Sequence, residues 1–296
     1  MKTPVFTGSG VAIATPMNPD FSINYEQLGK LIDWQIDNGT DCIVICGTTG
    51  ENTTMSDEEH VECIRFAVER TAGRVPVVAG AGSNHTDYAV WLSQEAKRLG
   101  ADALLHVTPY YNKTTQLGLI RHFNTIADAT DLPVILYNVP GRTGMSITPK
   151  TYQELSKHPN IVATKEAGGD ISAIAQTMHL CGSDLHLYSG NDDQIVPLLS
   201  LGGIGVISVL ANIMPRETHD IVQLFLDGKC ADSAALQLRL LPLINALFTE
   251  VNPIPVKEAM NLMGLSAGPC RLPLVEIGDA AKANLEAQMK ATGLLK

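Results

Sequence analysis

Ile161-Val162-Ala163-Thr164-Lys165-Glu166-Ala167-Gly168 is the stretch on which the fold reading turns. It reads as a buried strand that carries a lysine near its C-terminal end and runs into the glycine pair Gly168 and Gly169. Strand alternation sets Lys165 on one face with Ala163 and Ile161. An ammonium is costly there. A free lysine titrates at about 10.4, and bringing it near 7 takes about 4 kcal/mol of preference for the neutral amine. Burial among apolar side chains supplies such a preference, and a neutral amine attacks carbonyl carbon. The competing reading is an ion pair with Glu166, or a lysine whose stem lies on apolar surface while its head reaches water.

Working outward, strand-like runs recur at Gly10 to Ala14, Cys42 to Cys46, Val75 to Ala79, Ala103 to Thr108, Val134 to Tyr137, Ile161 to Lys165, Leu185 to Ser189 and Ile204 to Val209. Helical periodicity fills the intervals. Leu28, Leu31, Ile32, Gln35 and Ile36 make one stripe, and Val61, Ile64, Ala67 and Val68 another. Ser56 with Glu59 forms a capping box, and Thr148 with Pro149 suits an N-cap followed by proline at the first helical position. Eight strands alternating with helices predict a (β/α)8 TIM barrel over residues 1–214, with an open doubly wound sheet as the competitor. The strand count and the lack of G-x-G-x-x-G after the first strand favour the barrel. Past Val209 only helices are predicted: Glu217 to Leu226, Ala231 to Phe248, Pro255 to Met263 and Val275 to Ala291, a C-terminal α-helical extension over 215–296.

Composition narrows the function classes. Hydrophobic residues at 45% and charged residues at 18% describe a folded globular chain. A formal charge of -10 without a lysine or arginine run disfavours nucleic acid. The N-terminal MKTPVFTGSGVAIATP lacks the long apolar core of a signal peptide, and no stretch suits a bilayer span, so the expected compartment is the cytoplasm. Cys42, Cys46, Cys63, Cys181, Cys230 and Cys270 are scattered and read as reduced thiols, and no histidine or cysteine spacing suggests a metal.

In a barrel the active site lies at the C-terminal ends of the strands. Read off strand by strand, those ends carry Gly47-Thr48-Thr49-Gly50-Glu51, Thr108-Pro109-Tyr110-Tyr111-Asn112, Tyr137 to Gly144, Lys165, Ser189-Gly190-Asn191-Asp192 and Ile207. Tyr137 and Lys165 fall on adjacent strands, roughly 5 Å apart, so a phenol can pass protons to an amine. Thr48 and Thr49 offer hydroxyls and backbone N–H groups to a small carboxylate, or form an ordinary Gly-rich turn. Arg142 offers a planar fork for a second carboxylate, or is a solvated loop arginine.

Together, Gly47 to Glu51, Tyr110-Tyr111-Asn112, Tyr137 to Gly144 and the lysine strand resemble the dihydrodipicolinate synthases (4-hydroxy-tetrahydrodipicolinate synthases) of lysine biosynthesis, over essentially the whole chain. The resemblance implies a class I aldolase-type lyase that condenses pyruvate with aspartate 4-semialdehyde without metal or organic cofactor. It implies a Schiff base at Lys165, a proton relay of Tyr137, Thr49 and Tyr111, with Tyr111 inserted from a neighbouring subunit, and pyruvate carboxylate binding by Thr48 and Thr49. Arg142 then takes the semialdehyde carboxylate, and main-chain atoms of Gly190 and Ile207 line the pocket. A homotetramer of tight dimers is the expected assembly.

N-acetylneuraminate lyases and 2-keto-3-deoxy-sugar-acid aldolases look similar at the lysine and tyrosine, and Gly141-Arg142-Thr143-Gly144 favours the synthase over them. A catalytically silent pyruvate or amino-acid binding barrel is disfavoured because Lys165, Tyr137, Thr49 and Tyr111 are all present. By the same resemblance Asn84, Tyr110 and His60 match a lysine effector site. Tyr88 replaces the acid expected to hold the effector amine, and Asp57 a second histidine, so the expectation is weak or altered inhibition by L-lysine.

Overall fold

The computed structural model describes residues 2–296. In chain order its strands and helices are β1 (Gly8–Ala12), α1 (Tyr25–Asp37), β2 (Cys42–Ile45), α2 (Asp57–Thr71), β3 (Val77–Gly80), α3 (Thr86–Arg98), β4 (Ala103–Val107), α4 (Gln116–Asp128), β5 (Val134–Asn138), α5 (Pro140–Thr143), α6 (Pro149–Leu155), β6 (Ile161–Glu166), α7 (Ile171–Cys181), β7 (His186–Ser189), α8 (Ile195–Ser200), β8 (Gly205–Ser208), α9 (Pro215–Leu226), α10 (Cys230–Ala246), α11 (Ile254–Leu262) and α12 (Asp279–Ala291). The eight strands pair in parallel as one closed barrel in sequence order, with β8 returning to β1. Closure excludes the open doubly wound sheet.

The strands are largely apolar on both faces because both faces are buried. Cys42 and Val44 of β2 pack inward with Val78, Leu105, Ile135 and Ile207, whereas Ile43 and Ile45 join the layer beneath the helices. Helix α1 fills that layer with Leu28, Leu31 and Ile32, each contributing about 1.5–3 kcal/mol by leaving water. The buried face of α2 is His60, Cys63, Ile64, Ala67 and Thr71, so Val61 and Val68 lie at its edge rather than its centre. The Ser56–Glu59 capping box forms, and Thr148 caps α6 with Pro149 behind it.

One local departure bears on the site. Val134 pairs with Ile161 but Ile135 pairs with Ala163, so Val162 is an extra residue in β6. This bulge breaks the alternation expected from sequence. Ile161 packs outward, while Val162 and Ala163 both belong to the interior cluster. Lys165 keeps its inward direction because the phase that places it starts at Ala163, after the bulge.

Strand ends also differ where backbone partners differ. β1 begins at Gly8 rather than Gly10, and past its end the Ala14 N–H donates to Asn212 Oδ1 at 2.9 Å. Asn212 Nδ2 donates in turn to the Ala12 carbonyl at 2.9 Å, tying β8 to β1 where the barrel closes. β3 starts at Val77 because Pro76 has no N–H to pair. α9, counted with the extension when read from sequence, packs against β1, β8 and α8 as the helix that follows the eighth strand. α10 and α11 both pack against α12. No helix among the described residues is long and apolar enough to cross a membrane.

Candidate active site

Lys165 sits at the C-terminal end of β6, with Tyr137 as its register partner on β5 and Tyr188 on β7. Its side chain is buried, at 6% exposure, and its Nζ stands 4.2 Å from the centroid of the Tyr137 ring. Among the described residues it belongs to no ion pair. The sequence left Glu166 open as a partner, but that side chain points to the other face of the strand. There its carboxylate accepts from Asn138 Nδ2 (2.7 Å), the Gly168 N–H (2.9 Å) and the Tyr152 hydroxyl (3.0 Å). Burial pushes the Glu166 carboxyl up, against the pull of these donors. Asp192 is likewise pushed up by burial, and its oxygens accept from the Ser208 hydroxyl and the Val209 and Leu210 N–H groups.

The lysine stem is shaped by Gly190. A Cβ there would lie 2.9 Å from Ala167 Cβ and 3.1 Å from both the Glu166 carbonyl and Lys165 Cγ. The Gly190 N–H donates to the Glu166 carbonyl at 2.8 Å, which leaves its own carbonyl as the group it can offer a ligand. Ile207 packs with Tyr137 in the interior cluster.

Above the barrel interior opens a cavity of about 270 Å³, lined among others by Gly47, Thr48, Tyr110, Tyr137 and Arg142. Its glycine walls are required by close approach: a Cβ on Gly80 would fall 2.1 Å from the Cys46 carbonyl, and one on Gly82 2.6 Å from the Val107 nitrogen. Thr48 to Gly50 form a single 3₁₀ turn, bracketed by Cys46 and Glu51 in left-handed backbone at φ 56° and 58°. Such conformations cost a non-glycine residue on the order of 1–3 kcal/mol and are held by their surroundings.

What holds this turn comes from the C-terminal extension, which the sequence reading left without a role. Lys257 of α11 is buried and donates to Glu51 Oε1 (2.7 Å), the Thr15 carbonyl (3.2 Å) and the Pro269 carbonyl (2.5 Å). Glu51 Oε2 accepts from the Arg271 N–H at 2.8 Å. Asn252, just before α11, donates from Nδ2 to Thr49 Oγ1 at 3.0 Å, and its carbonyl accepts from Arg142 Nη2 at 3.1 Å. The only sequence signals were a lysine inside the apolar run from Ile254 to Met260 and an asparagine opening Asn252-Pro253-Ile254-Pro255.

The fold thus brings Lys165, Tyr137, Thr48, Thr49, Arg142, Gly190 and Ile207 to one end of the barrel. Tyr111 is not among them: it is 93% exposed, in left-handed backbone at φ 65°. Of the remaining candidates, Asn84 donates to the Tyr110 carbonyl at 3.2 Å. His60 is turned inward, its Nε2 2.8 Å from the Gly80 carbonyl, and burial holds its pKa down. Tyr88 donates to Asp57 at 2.6 Å, so the two positions that depart from the expected effector site touch each other. No metal-binding cluster of histidine, cysteine or acidic residues occurs among the described residues.

Comparison with known proteins places this geometry in context. A family model described as the dihydrodipicolinate synthetase family matches residues 5–292. The chain is 61% identical over 276 residues, 93% of each chain, to the 4-hydroxy-tetrahydrodipicolinate synthase of Caldicellulosiruptor saccharolyticus. Among solved structures it resembles the dihydrodipicolinate synthase of Aquifex aeolicus, with 43% identity, a TM-score of 0.95 and coverage of 98% of this chain and 99% of that one. It also resembles the enzyme of Cyanidioschyzon merolae solved with lysine bound, with 40% identity, a TM-score of 0.96 and coverage of 99% and 100%.

Proposed function

The chain belongs to the dihydrodipicolinate synthetase family, and from that premise we infer that it is a 4-hydroxy-tetrahydrodipicolinate synthase whose Schiff-base lysine is Lys165. It condenses pyruvate with L-aspartate 4-semialdehyde in lysine biosynthesis. The observation that carries the assignment of the lysine is its buried amine, free of any ion pair among the described residues and set 4.2 Å from the Tyr137 ring.

Lys165 Nζ adds to the ketone carbon of pyruvate, and loss of water gives the imine. Its iminium draws electrons from the methyl group, which loses a proton and becomes an enamine. The enamine carbon bonds to the aldehyde carbon of the semialdehyde. The amine of that substrate then adds to the imine carbon, closes the ring and displaces Lys165. Tyr137, Thr49 and Tyr111 relay the protons. Thr48 and Thr49 hold the pyruvate carboxylate, Arg142 at the mouth takes the semialdehyde carboxylate, and the Gly190 and Ile207 main chain lines the pocket.

Tyr111 reaches the site of a neighbouring subunit in a homotetramer of tight dimers, a reading supported by its near-complete exposure in a single chain. The six unpaired thiols support the cytoplasm as the compartment. L-lysine inhibits weakly, because the Asp57 carboxylate is engaged by Tyr88; full inhibition at low lysine in a coupled assay would refute that. The assignment of acceptor is tested by comparing aspartate semialdehyde, N-acetylmannosamine and glyceraldehyde at saturating pyruvate. Only the semialdehyde should turn over, and Arg142→Ala should lower its kcat/KM by about 10–100-fold, the worth of one charge-assisted contact of roughly 1.5–3 kcal/mol. Equal turnover of a sugar acceptor would overturn it.

A further inference from the structure

Tyr137 faces Lys165 across β5 and β6, and the next pair, Asn138 with Glu166, is the last before the strands part. Beyond it the chain after β5 enters α5 at Pro140, and the chain after β6 bends at Gly168. The main-chain ladder ends there, with the Ala167 N–H donating to the Asn138 carbonyl at 2.9 Å. Backbone at the end of an element opens more readily than backbone within it. The spacing of amine and phenol is therefore set one residue away from the least restrained part of the sheet.

The outward side chains of the last pair close that gap. Asn138 Nδ2 donates to Glu166 Oε1 at 2.7 Å, and Asn138 Oδ1 accepts from the Ile147 N–H at 3.2 Å, so both polar atoms of the amide are engaged. The Gly168 N–H donates to the same Glu166 oxygen at 2.9 Å and folds the chain back over it. Only glycine fits that approach, since a Cβ would lie 2.7 Å from Oε1 and 3.3 Å from Asn138 Nδ2. Glu166 Oε2 accepts from the Tyr152 hydroxyl of α6 at 3.0 Å, and the Glu166 carbonyl accepts from the Gly190 N–H after β7 at 2.8 Å. Four neighbouring segments thus converge on the residue bonded directly to Lys165.

We propose that Glu166 is a positioning residue that clamps the ends of β5 and β6 from outside the barrel and so holds the Lys165 amine against Tyr137. This rests on the reading of Lys165 and Tyr137 given above. The clamp needs an acceptor oxygen at the reach of a glutamate, not its charge. Glutamine supplies that oxygen to Asn138 and Gly168, and its Nε2 can donate to the Tyr152 oxygen while the Tyr152 hydrogen turns to Thr164 Oγ1, 2.9 Å away.

The test compares Glu166→Ala, Glu166→Gln and Tyr152→Phe in the full-length enzyme. Imine formation is followed at saturating pyruvate by quenching with borohydride at timed intervals, and Tm is measured alongside. Alanine removes the clamp, and the imine should form about 100-fold more slowly, the cost of a misplacement of about 1 Å. Glutamine should restore the rate to within about 3-fold of wild type. Tyr152→Phe takes away the α6 bond but leaves Asn138 tied to Glu166, so its rate should stay within about 3-fold even though its Tm falls. KM for pyruvate should stay within about 3-fold throughout, because the loss falls on the chemical step. Asn138→Ala removes the donor instead of the acceptor, and combined with Glu166→Ala it should add little further loss.

A wild-type rate in Glu166→Ala would overturn the proposal, as would a glutamine variant as slow as alanine, which would point to the charge. Rates that simply follow Tm, with Tyr152→Phe as slow as Glu166→Ala, would overturn it in favour of general support of the fold. If Glu166→Ala fails to fold, Asn138→Ala alone takes its place, with the same loss expected. Trapping at Lys165 in the wild type keeps the parent reading whatever the Glu166 variants do, and its absence there would overturn both.

Discussion

Replacing Lys257 with methionine should destabilise the protein by about 3–5 kcal/mol, the usual cost of stranding one member of a buried ion pair. The magnitude follows from what the ammonium leaves behind. Lys257 and Glu51 side chains are 2% and 1% exposed, and the Glu51 carboxylate would retain the Arg271 N–H as its partner. The Thr15 and Pro269 carbonyls would lose a donor as well. For a chain of this size each kcal/mol moves Tm by about 2–3 °C, so a fall of about 10 °C is expected in a thermal melt. Because Glu51 closes the turn that carries Thr48 and Thr49, KM for pyruvate should rise in parallel. Lys257→Met combined with Glu51→Gln should recover much of the stability, since no charge is then left buried. A single variant within about 1 kcal/mol of wild type, or a double variant no more stable than the single, would refute the reasoning.

Gly190→Ala should cut the rate of pyruvate imine formation by about 100-fold, because the new Cβ must push the Lys165 stem and a misplacement of about 1 Å costs that much; stopped trapping at timed intervals reads it. His106 and His122 are pushed down to about 3 and about 4, chiefly by burial. Their ordinary value is about 6.5, so on acidification the unfolded chain takes up protons that the folded one refuses, and the stability present above pH 6.5 is lost towards pH 4. At pH 5 this amounts to roughly 2 kcal/mol per histidine. Glu166 and Asp192, raised by burial, work in the opposite sense. Comparing melts at pH 7 and pH 5 for wild type and His106→Asn/His122→Gln cancels the carboxyls, and an equal Tm drop in both proteins would contradict the histidine assignment.

The barrel was legible because eight apolar runs alternate with helical stripes at a spacing few other folds share. Lys165 stood out as a cation in an apolar strand, and the threonine turn and Arg142 as polar groups at strand ends. The bulge at Val162 was invisible, because Ile161, Val162 and Ala163 are all apolar and a slip of one leaves the pattern unchanged. Asn252 and Lys257 were invisible for another reason: their partners Thr49 and Glu51 lie 203 and 206 residues away, and no periodicity reports a contact made by one side chain at that distance. Tyr111 has an aromatic side chain of the kind expected to be buried, yet the single chain leaves it in solvent.

Catalysis here depends on a covalent bond between the Lys165 amine and pyruvate. Incubation with pyruvate and borohydride, followed by trypsin and mass mapping, addresses it directly. Reduction onto Lys165 blocks cleavage there, so the His158 to Lys165 peptide should give way to an adduct running from His158 to Arg216. An unchanged digest, or an adduct on another lysine such as Lys257, would contradict the account.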